Sequence, residues 1–342
     1  MVASVAYRRR TLLLYQRLVL AQSRLPIRLI VFCPQHIDFK SRNVRALVLE
    51  KNGSIREKLC SLPFAVINRC YGTHRTVSDQ LRQLIGEQRL FNSVTQFDKW
   101  TLYRSLCQAK LRAHVPLTMP YRQQSLLHLL EQPGSWFVKP VRGNRGEGVH
   151  RIEKTVAGDL LVAGHTNEAF WRPREPSELH RLFQSTTNGG WLIQKAIDIL
   201  KVNDRCFDIR ALLQKGRSGR WQCTALTCRV ARAGFFNTSA YSAVYMFDKW
   251  MHNVIQNPPE LATLRQKIKT LALLAANATE TKNDALAEVS VDFVLDVNRH
   301  LWILELNASP QKSIYREIRG FRNIARLYRA PLQYAVYLYE QQ

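Results

Sequence analysis

The chain has 342 residues, 46% of them hydrophobic, and its 50 lysines and arginines against 26 acidic residues give a formal net charge of +24. This length and apolar content are typical of a globular protein of about two domains, and without an apolar run of about 18 residues we expect no membrane span. The seven cysteines form no CxxC or Cys/His spacing, which argues against a zinc site or a disulfide framework and favours reduced thiols in the cytoplasm.

The first 37 residues contain six arginines and no acidic residue. Leucines and a valine are interleaved with these arginines, which is the pattern of a basic amphipathic helix. The pattern favours a surface helix or an ordered lead-in over a docking arm, and LAQSR is a poor secretory cleavage site. The basic surface as a whole suits an anionic substrate or scaffold, such as an anionic polymer, or non-specific polyanion binding.

The segment Phe97–Leu106 (FDKWTLYRSL) predicts the start of a helix, with Asp98 near the N-cap and Lys99 in the first turn. A cation is disfavoured at that end of a helix because the helix dipole is positive there. Lys99 is therefore either solvated or held in place for an anionic ligand.

A short apolar strand at residues 135–139 (SWFVK) leads into the glycine-rich sequence VRGNRGEGV at residues 141–149. Its three glycines allow the backbone to approach phosphate oxygens closely, and Lys139 adds a positive charge. Arg142 and Arg145 strengthen the local positive field. The loop is a weak signal by itself, because it lacks the GK[ST] ending of a P-loop and the dinucleotide fingerprint.

Two further apolar segments follow, WLIQKAIDI at residues 191–199 and FDIRALLQ at residues 207–214. In the second segment Asp208 and Arg210 share a face of the predicted strand, and the next strand would bring Arg229 opposite Asp208. Taken alone, this pattern favours a surface ion pair on a half-exposed sheet.

The sequence VSVDFVLDVNRHLWILELNASP at residues 289–310 predicts two strands around a turn at Asn298-Arg299. Such a hairpin places Asp292 opposite Glu305, with Asn307 on the same face. Two facing carboxylates among apolar neighbours are costly, and a divalent cation would remove that cost. Carboxylate and amide oxygens suit Mg²⁺, which usually binds together with substrate phosphates. The alternative is a solvated hairpin, which the apolar flanking residues disfavour.

Taken in chain order, these pieces resemble the ATP-grasp superfamily, and the ELN triplet at residues 305–307 looks like its metal-binding strand. Upstream, LPFAVINRCYG at residues 62–72 looks like the region that precedes the ATP-grasp domain in the YheC/YheD group, which is associated with endospore coats. The resemblance covers roughly residues 28–325.

The resemblance implies an α+β ATP-grasp fold, in which two α+β subdomains clamp ATP, preceded by a smaller α/β region. The implied units are a basic N-terminal segment at residues 1–27, an N-terminal α/β (pre-ATP-grasp-like) region at 28–95 and an ATP-grasp domain at 96–340.

The resemblance also implies roles for the matched residues. Nucleotide contacts are implied for Lys99, Lys139, Gly143, Arg145, Gly146, Gly148, Gln194, Lys195, Ile197 and Asp198. The two lysines and the loop would contact the phosphates, the backbone at residues 194–197 would hold the adenine, and Asp198 is a secondary candidate for the ribose.

For the reaction itself, the resemblance implies that Arg210 and Arg229 face the γ-phosphate or an acidic substrate, with Asn237 nearby. Mg²⁺ ligation is implied for Asp292, Glu305 and Asn307. The chain departs from several ATP-grasp ligases in having Ser290 where they have an arginine, two residues before the first metal aspartate. The group that stabilises the oxyanion is therefore unassigned.

These implications predict an ATP- and Mg²⁺-dependent ligase that joins a carboxylate to an amine or a thiol through an acyl phosphate. One alternative is a structural spore-coat protein that binds a nucleotide without turnover. The other is a polyanion-binding protein whose affinity depends on salt but not on ATP.

Overall fold

The part of the chain that the structure describes forms three antiparallel sheets and one short parallel strand pair, connected by helices. The structure, a computed structural model, describes residues 1–20, 25–50, 52–70, 75–143, 146–164, 166, 168–183, 190–280 and 285–342. Within these ranges, no helix combines the length and the apolar character needed to cross a membrane.

The N-terminal part contains a four-stranded sheet and a parallel pair formed by its last two strands. The strand at Asn43–Leu49 buries alternate side chains, as expected for a strand with one solvated face, whereas the equally long strand at Ile55–Ser61 is largely exposed. The first helix buries Leu12 and Tyr15, and the Tyr15 ring meets the edge of Tyr328 at a centroid distance of 5.6 Å. The elements are α1 (Val5–Tyr15), β1 (Ile30–Val31), β2 (Ile37–Asp38), β3 (Asn43–Leu49), β4 (Ile55–Ser61), β5 (Val66–Ile67), α2 (Arg75–Ile85) and β6 (Leu90–Phe91).

The middle part is a six-stranded antiparallel sheet in the order β11-β10-β9-β8-β12-β7. Its core packs Val138, Ile152, Val162 and Ile193 against the helices that follow β7 and β11. The elements are α3 (Lys99–Leu106), β7 (Thr118–Pro120), α4 (Gln123–Leu129), β8 (Gly134–Pro140), β9 (His150–Lys154), β10 (Leu160–Ala163), β11 (Ala169–Trp171), α5 (His180–Phe183) and β12 (Trp191–Lys195).

The C-terminal part is a second six-stranded antiparallel sheet, in the order β16-β15-β14-β17-β18 with β13 beside β14. Its longest helix has Asn257 as N-cap, whose side-chain oxygen accepts a hydrogen bond from the Glu260 amide at 3.2 Å. The elements are β13 (Lys201–Val202), β14 (Arg205–Lys215), β15 (Trp221–Ala231), β16 (Tyr241–Met246), α6 (Phe247–Met251), α7 (Pro258–Thr279), β17 (Glu288–Leu295), β18 (Leu301–Asn307) and α8 (Ile324–Glu340).

Strand β17 is buried on both faces, and its two faces serve different purposes. Val289, Val291 and Phe293 enter the main hydrophobic core beneath α7. On the opposite face, Glu288, Ser290 and Asp292 point away from that core, and all three are buried. A sheet that carries polar groups on a buried face must supply partners for them, so this face is where a functional site is expected.

The β17–β18 hairpin confirms the predicted register, because Asp292 pairs with Glu305 across the two strands. The second strand spans Leu301–Asn307, as predicted. The pairing shifts by one residue after Asp292, so Phe293 pairs with Ile303 and Leu304 is the extra residue of a bulge. Arg299 turns the chain with φ of 60°.

Candidate functional site

A cleft of about 810 Å³ opens between the two six-stranded sheets. It gathers most of the residues that the sequence singled out, although they come from segments far apart in the chain. The predicted site residues that line it are Lys99, Lys139, Gly143, Gly146, Gln194, Lys195, Ile197, Arg210, Arg229, Asp292, Glu305 and Asn307. Gly148 and the exposed Asp198 are not among the lining residues, and Arg145 lies outside the described residues.

Lys99 is held at the cleft by the start of α3. The carboxylate of Asp98 caps this helix by accepting hydrogen bonds from the amides of Trp100 at 3.1 Å and Thr101 at 2.9 Å. The Lys99 ammonium donates to the backbone carbonyl of Gly143 at 3.0 Å, and burial lowers its pKa. The helix start predicted from the sequence is confirmed, and it ties a cation to the glycine-rich loop.

Lys139 lies near the end of β8, beside Gln194 of β12. Its ammonium donates to the side-chain oxygen of Gln194 at 2.8 Å, and the Gln194 amide donates to the hydroxyl of Thr118 at 2.9 Å. Burial, followed by the positive charge of Lys99, lowers the pKa of Lys139 to about 8. An anion in the cleft would give this ammonium a hydrogen bond between opposite charges, which is stronger than its present bond to a neutral amide oxygen.

The glycine-rich loop needs glycine at two positions for a backbone reason. Gly146 and Gly148 have φ values of 75° and 70°, which residues other than glycine rarely adopt. A Cβ atom at Gly148 would lie 3.0 Å from the Pro140 ring. At the base of the loop, the Arg142 guanidinium is 3.6 Å from the Asp98 carboxylate. The loop is thus anchored at both β8 and α3.

Two arginines and two aspartates form a buried network on the floor of the cleft. Arg210 on β14 lies opposite Asp292 on β17 and donates from Nε and from one terminal nitrogen, both at 2.7 Å. Arg229 on β15 donates to Asp292 at 2.9 Å and binds Asp208 through two nitrogens. The Thr238 hydroxyl also donates to Asp208.

The prediction of a surface ion pair at this position was therefore wrong. Asp208 and Arg210 are only 4% and 7% exposed, and every residue of β14 after the first is buried. The sequence alternation suggested a sheet with one wet face, but the cleft wall and the segment after β18 cover that face. A buried pair responds to mutation very differently from an exposed one, because a lost partner leaves an uncompensated charge.

The carboxylates of Asp292 and Glu305 face each other across the hairpin, yet their environments differ. Burial alone would raise the pKa of Asp292, but Arg210 and Arg229 outweigh it and hold this pKa below its ordinary value. For Glu305, burial and the charge of Asp292 raise the pKa, although Lys99 and Lys139 partly oppose them. Thus Arg210 and Arg229 neutralise the charge of Asp292 through ion pairs, whereas no described residue forms an ion pair with Glu305.

Glu305 is the carboxylate of the hairpin whose charge the described residues do not neutralise through an ion pair. It is half-buried, and within the described parts of the chain no group donates a hydrogen bond to it or forms an ion pair with it. The Asn307 amide lies 3.3 Å from Asp292, so a carboxylate and an amide flank Glu305 on one face. This donor set fits Mg²⁺, which takes few protein oxygens and completes its shell with water and phosphate. The described residues contain no cluster of three or more His, Cys, Asp or Glu side chains for another metal.

The cleft also contains residues that the sequence did not reveal. Arg69 lines the cleft from the N-terminal part and pairs with Glu288, 219 residues later in the chain. Thr238 orients Asp208 from the loop after β15.

Two aromatic rings and an asparagine also line the cleft. Phe137 and Phe236 approach across the cleft with ring centroids 5.3 Å apart. Asn237 lies at the cleft as expected, but its side chain caps a short 3₁₀ turn by accepting from the Ser239 amide.

Two sheets that enclose a cleft with paired lysines, a glycine-rich loop and a carboxylate hairpin define an ATP-grasp protein, and this fold binds ATP. The chain belongs to the YheC/D-like ATP-grasp family, whose sequence model matches residues 87–338. Both the family and the α+β ATP-grasp fold class predicted from the sequence are thereby confirmed.

Two relatives from Bacillus subtilis (strain 168) are similar over most of the chain. Endospore coat-associated protein YheD is 25% identical over 333 residues, which is 91% of this chain and 70% of that protein. Endospore coat-associated protein YheC is 23% identical over 341 residues, which is 92% of this chain and 89% of that protein.

Solved structures of ligases share the fold at low sequence identity. D-alanyl-alanine synthetase A from Vibrio cholerae gives a TM-score of 0.54 at 13% identity, covering 95% of this chain and 89% of that chain. VanG D-Ala:D-Ser ligase from Enterococcus faecalis gives 0.52 at 14% identity, covering 88% and 80%. At these identities the likeness establishes the fold alone.

Proposed function

We propose that this protein is an ATP- and Mg²⁺-dependent ligase that activates a carboxylate as an acyl phosphate and transfers the acyl group to an amine or a thiol. The observation that carries the proposal is the state of Glu305. Its carboxylate has a raised pKa, lies opposite Asp292 on the cleft floor and has no hydrogen-bond donor among the described residues. Such a group is costly unless it serves a cation.

In this proposal the nucleotide lies along the cleft with its phosphates between Lys99 and Lys139. Lys139 exchanges its bond with Gln194 for a phosphate oxygen, and the loop from Gly143 to Gly148 closes over the phosphates with its backbone amides. The backbone at the end of β12, from Lys195 to Ile197, would hold the adenine. Phe137 supports this placement because its ring gives the cleft wall an apolar patch.

Asp292, Glu305 and Asn307 would hold the metal ion. When bound, Mg²⁺ would offset the negative charge that develops on the phosphates during transfer. Asp292 has two roles in this arrangement, because its carboxylate also fixes the guanidinium planes of Arg210 and Arg229. Because one carboxylate would bind both the arginines and the cation, it would fix their positions relative to each other.

The reaction would proceed in two steps on these residues. First, a substrate carboxylate oxygen bonds to the γ-phosphorus, the bond to the β–γ bridging oxygen breaks, and ADP leaves. Then the amine or thiol bonds to the acyl carbon, the bond to the phosphate oxygen breaks, and inorganic phosphate leaves as the nucleophile loses a proton to solvent. Arg210 and Arg229 would orient the carboxylate and the moving phosphoryl group.

The arginines suit this role because each retains donor capacity. In the described structure neither NH1 nitrogen has a hydrogen-bond acceptor, while the other nitrogens hold Asp208 and Asp292. We propose that Arg210 supplies the charge that other ligases take from the position of Ser290. Ser290 itself is fully buried and lies outside the cleft lining, whereas Arg210 comes from the neighbouring strand β14 opposite Asp292.

Phosphate release tests the proposal directly. With ATP, Mg²⁺ and a panel of amino acids, short peptides and small thiols, at least one carboxylate–nucleophile pair is expected to raise phosphate release well above the rate with ATP alone. Mass spectrometry would then show the joined product, and EDTA would abolish its formation. Tight ATP binding with no release over the whole panel would contradict a ligase.

That contrary result would favour a non-catalytic nucleotide-binding protein of the spore coat. The names of the two B. subtilis relatives are the observation behind this second candidate, since both are described as endospore coat-associated. They also support a proposal about place that holds for either candidate, in which the chain is made in the cytoplasm and works in association with the coat. Fractionation of sporulating cells would place the chain in the coat fraction or exclude it from there.

A further inference from the structure

The stretch that follows the carboxylate hairpin is unusually basic. Residues 312–329, called the arginine segment below, contain one lysine, five arginines and a single acid, Glu317. Four of the arginines are exposed, and none of the four forms an ion pair with any residue that the structure describes; they are Arg316, Arg319, Arg322 and Arg326. Neither the nucleotide nor the metal site uses them.

The arginine segment is fixed to the same sheet that carries the cleft floor. Its apolar side chains Ile314, Tyr315, Ile318 and Leu327 pack against residues of β14, β15 and β16. It leaves the cleft at Gln311, which lines the cavity. Tyr241 connects the two, because it lines the cleft while its hydroxyl donates to Glu317 at 3.1 Å. The exposed arginines therefore follow the cleft-lining Gln311 in the chain and flank Glu317, which contacts the cleft-lining Tyr241.

The positions of Arg322 and Arg326 do not favour the stability of helix α8. Helix α8 starts at Ile324 with no acid in its first turn, yet Arg322 and Arg326 stand at this end. Cations at a helix N-terminus oppose the helix dipole, and like charges three or four residues apart repel one another. Since neither arginine forms an ion pair with a described residue, an external anion is the partner that this arrangement would favour.

We infer that the arginine segment docks an acidic polypeptide and delivers one of its carboxylates to the cleft. The inference rests on the proposed function, because a polymer of carboxylates matches both the exposed arginines and the group that Arg210 and Arg229 are proposed to hold. A single-stranded nucleic acid fits less well, because such ligands need exposed aromatic rings for stacking. The aromatic residues of the segment, Tyr315, Phe321 and Tyr328, are buried or half-buried.

A charge-removal experiment tests the docking. The triple variant Arg319→Gln, Arg322→Gln and Arg326→Gln is expected to bind labelled poly-L-glutamate about tenfold more weakly in fluorescence anisotropy, with a shallower dependence on salt. The matched control removes three exposed arginines elsewhere, at Arg45, Arg56 and Arg181, and should change the affinity by less than about threefold. ATP affinity should be the same in both variants.

Three outcomes would overturn the docking, one of which is normal binding of the polymer by the triple variant. Equal losses in the two variants would show non-specific attraction to a basic protein, and tighter binding of a single-stranded oligonucleotide of matched length, lost in the triple variant, would show a nucleic-acid surface. The proposed ligase activity is decided by a different measurement, the release of phosphate. If poly-L-glutamate binds through the segment but ATP gives no phosphate release, docking stands without ligation. If small carboxylates support release but the triple variant binds the polymer normally, ligation stands without this docking.

Discussion

Replacing Arg210 by methionine is expected to lower the free energy of unfolding by about 3–5 kcal/mol, because the change leaves a buried carboxylate without its main partner. Arg210 is 7% exposed and Asp292 is 4% exposed. Two hydrogen bonds of 2.7 Å join them. Arg229 alone would then have to compensate both Asp208 and Asp292. Urea unfolding followed by tryptophan fluorescence measures the loss.

The double variant Arg210→Met with Asp292→Asn provides the control for this prediction. Removing the second charge should recover most of the lost stability, since an amide is much cheaper to bury than an unpaired carboxylate. Turnover should stay lost in the double variant, because both the guanidinium and the metal ligand are gone. A single variant that unfolds like the wild type would contradict the buried network.

Replacing Lys139 by alanine is expected to weaken ATP binding by about 30- to 150-fold, the equivalent of about 2–3 kcal/mol for one charge-assisted contact. Adenosine, which has no phosphates, should bind both proteins almost equally. Lys201→Ala is a suitable control, because this lysine is exposed on β13 and lies outside the cleft lining. Calorimetry with ATP and adenosine gives both affinities, and equal losses for the two ligands would contradict a phosphate contact.

The same lysine predicts a pH dependence of ATP affinity. Burial and Lys99 lower the pKa of Lys139 to about 8, so the free protein loses this proton as pH rises through that value. Bound phosphates favour the protonated lysine and raise its pKa, which means that affinity is complete below pH 8 and falls above it. The decline between pH 8 and 10 should be smaller in Lys139→Ala, where this group is missing.

The sequence predicted the elements whose signals are local. The β17–β18 hairpin combines strict alternation with one polar break, so both its register and the pairing of Asp292 with Glu305 followed from short-range rules. The start of α3 was equally local, because an N-cap aspartate bonds to amides two and three residues ahead. The domain boundaries at residues 27 and 95 stay predictions.

What the sequence could not reveal depends on contacts between distant segments. The alternation in β14 looks the same whether its polar face meets water or a second layer, so the burial of Arg210 and Asp208 was missed. Arg69 reaches Glu288 over 219 residues, and no local pattern marks such a pair. Likewise, the sequence suggested that a divalent cation would relieve Asp292, whereas two arginines from other strands of the sheet already compensate it.

The proposed metal site depends most on Glu305 as the carboxylate that holds Mg²⁺, and the raised pKa of Glu305 determines how stability changes with pH. Because the folded state holds this proton more tightly than the unfolded state, stability falls as pH rises from the ordinary glutamate pKa to the raised one. Above that window the ionised carboxylate is a cost in the absence of metal. Glu305→Gln should therefore be at least as stable as the wild type at neutral pH without metal.

The most direct test is calorimetry of ATP binding with and without Mg²⁺ for the wild type, Glu305→Gln and Glu147→Gln, an exposed carboxylate that also lines the cleft. Mg²⁺ should strengthen ATP binding on the order of tenfold or more in the wild type and in Glu147→Gln. In Glu305→Gln this gain should disappear while the protein stays folded. An undiminished gain in Glu305→Gln would contradict the metal site and the ligase proposal built on it.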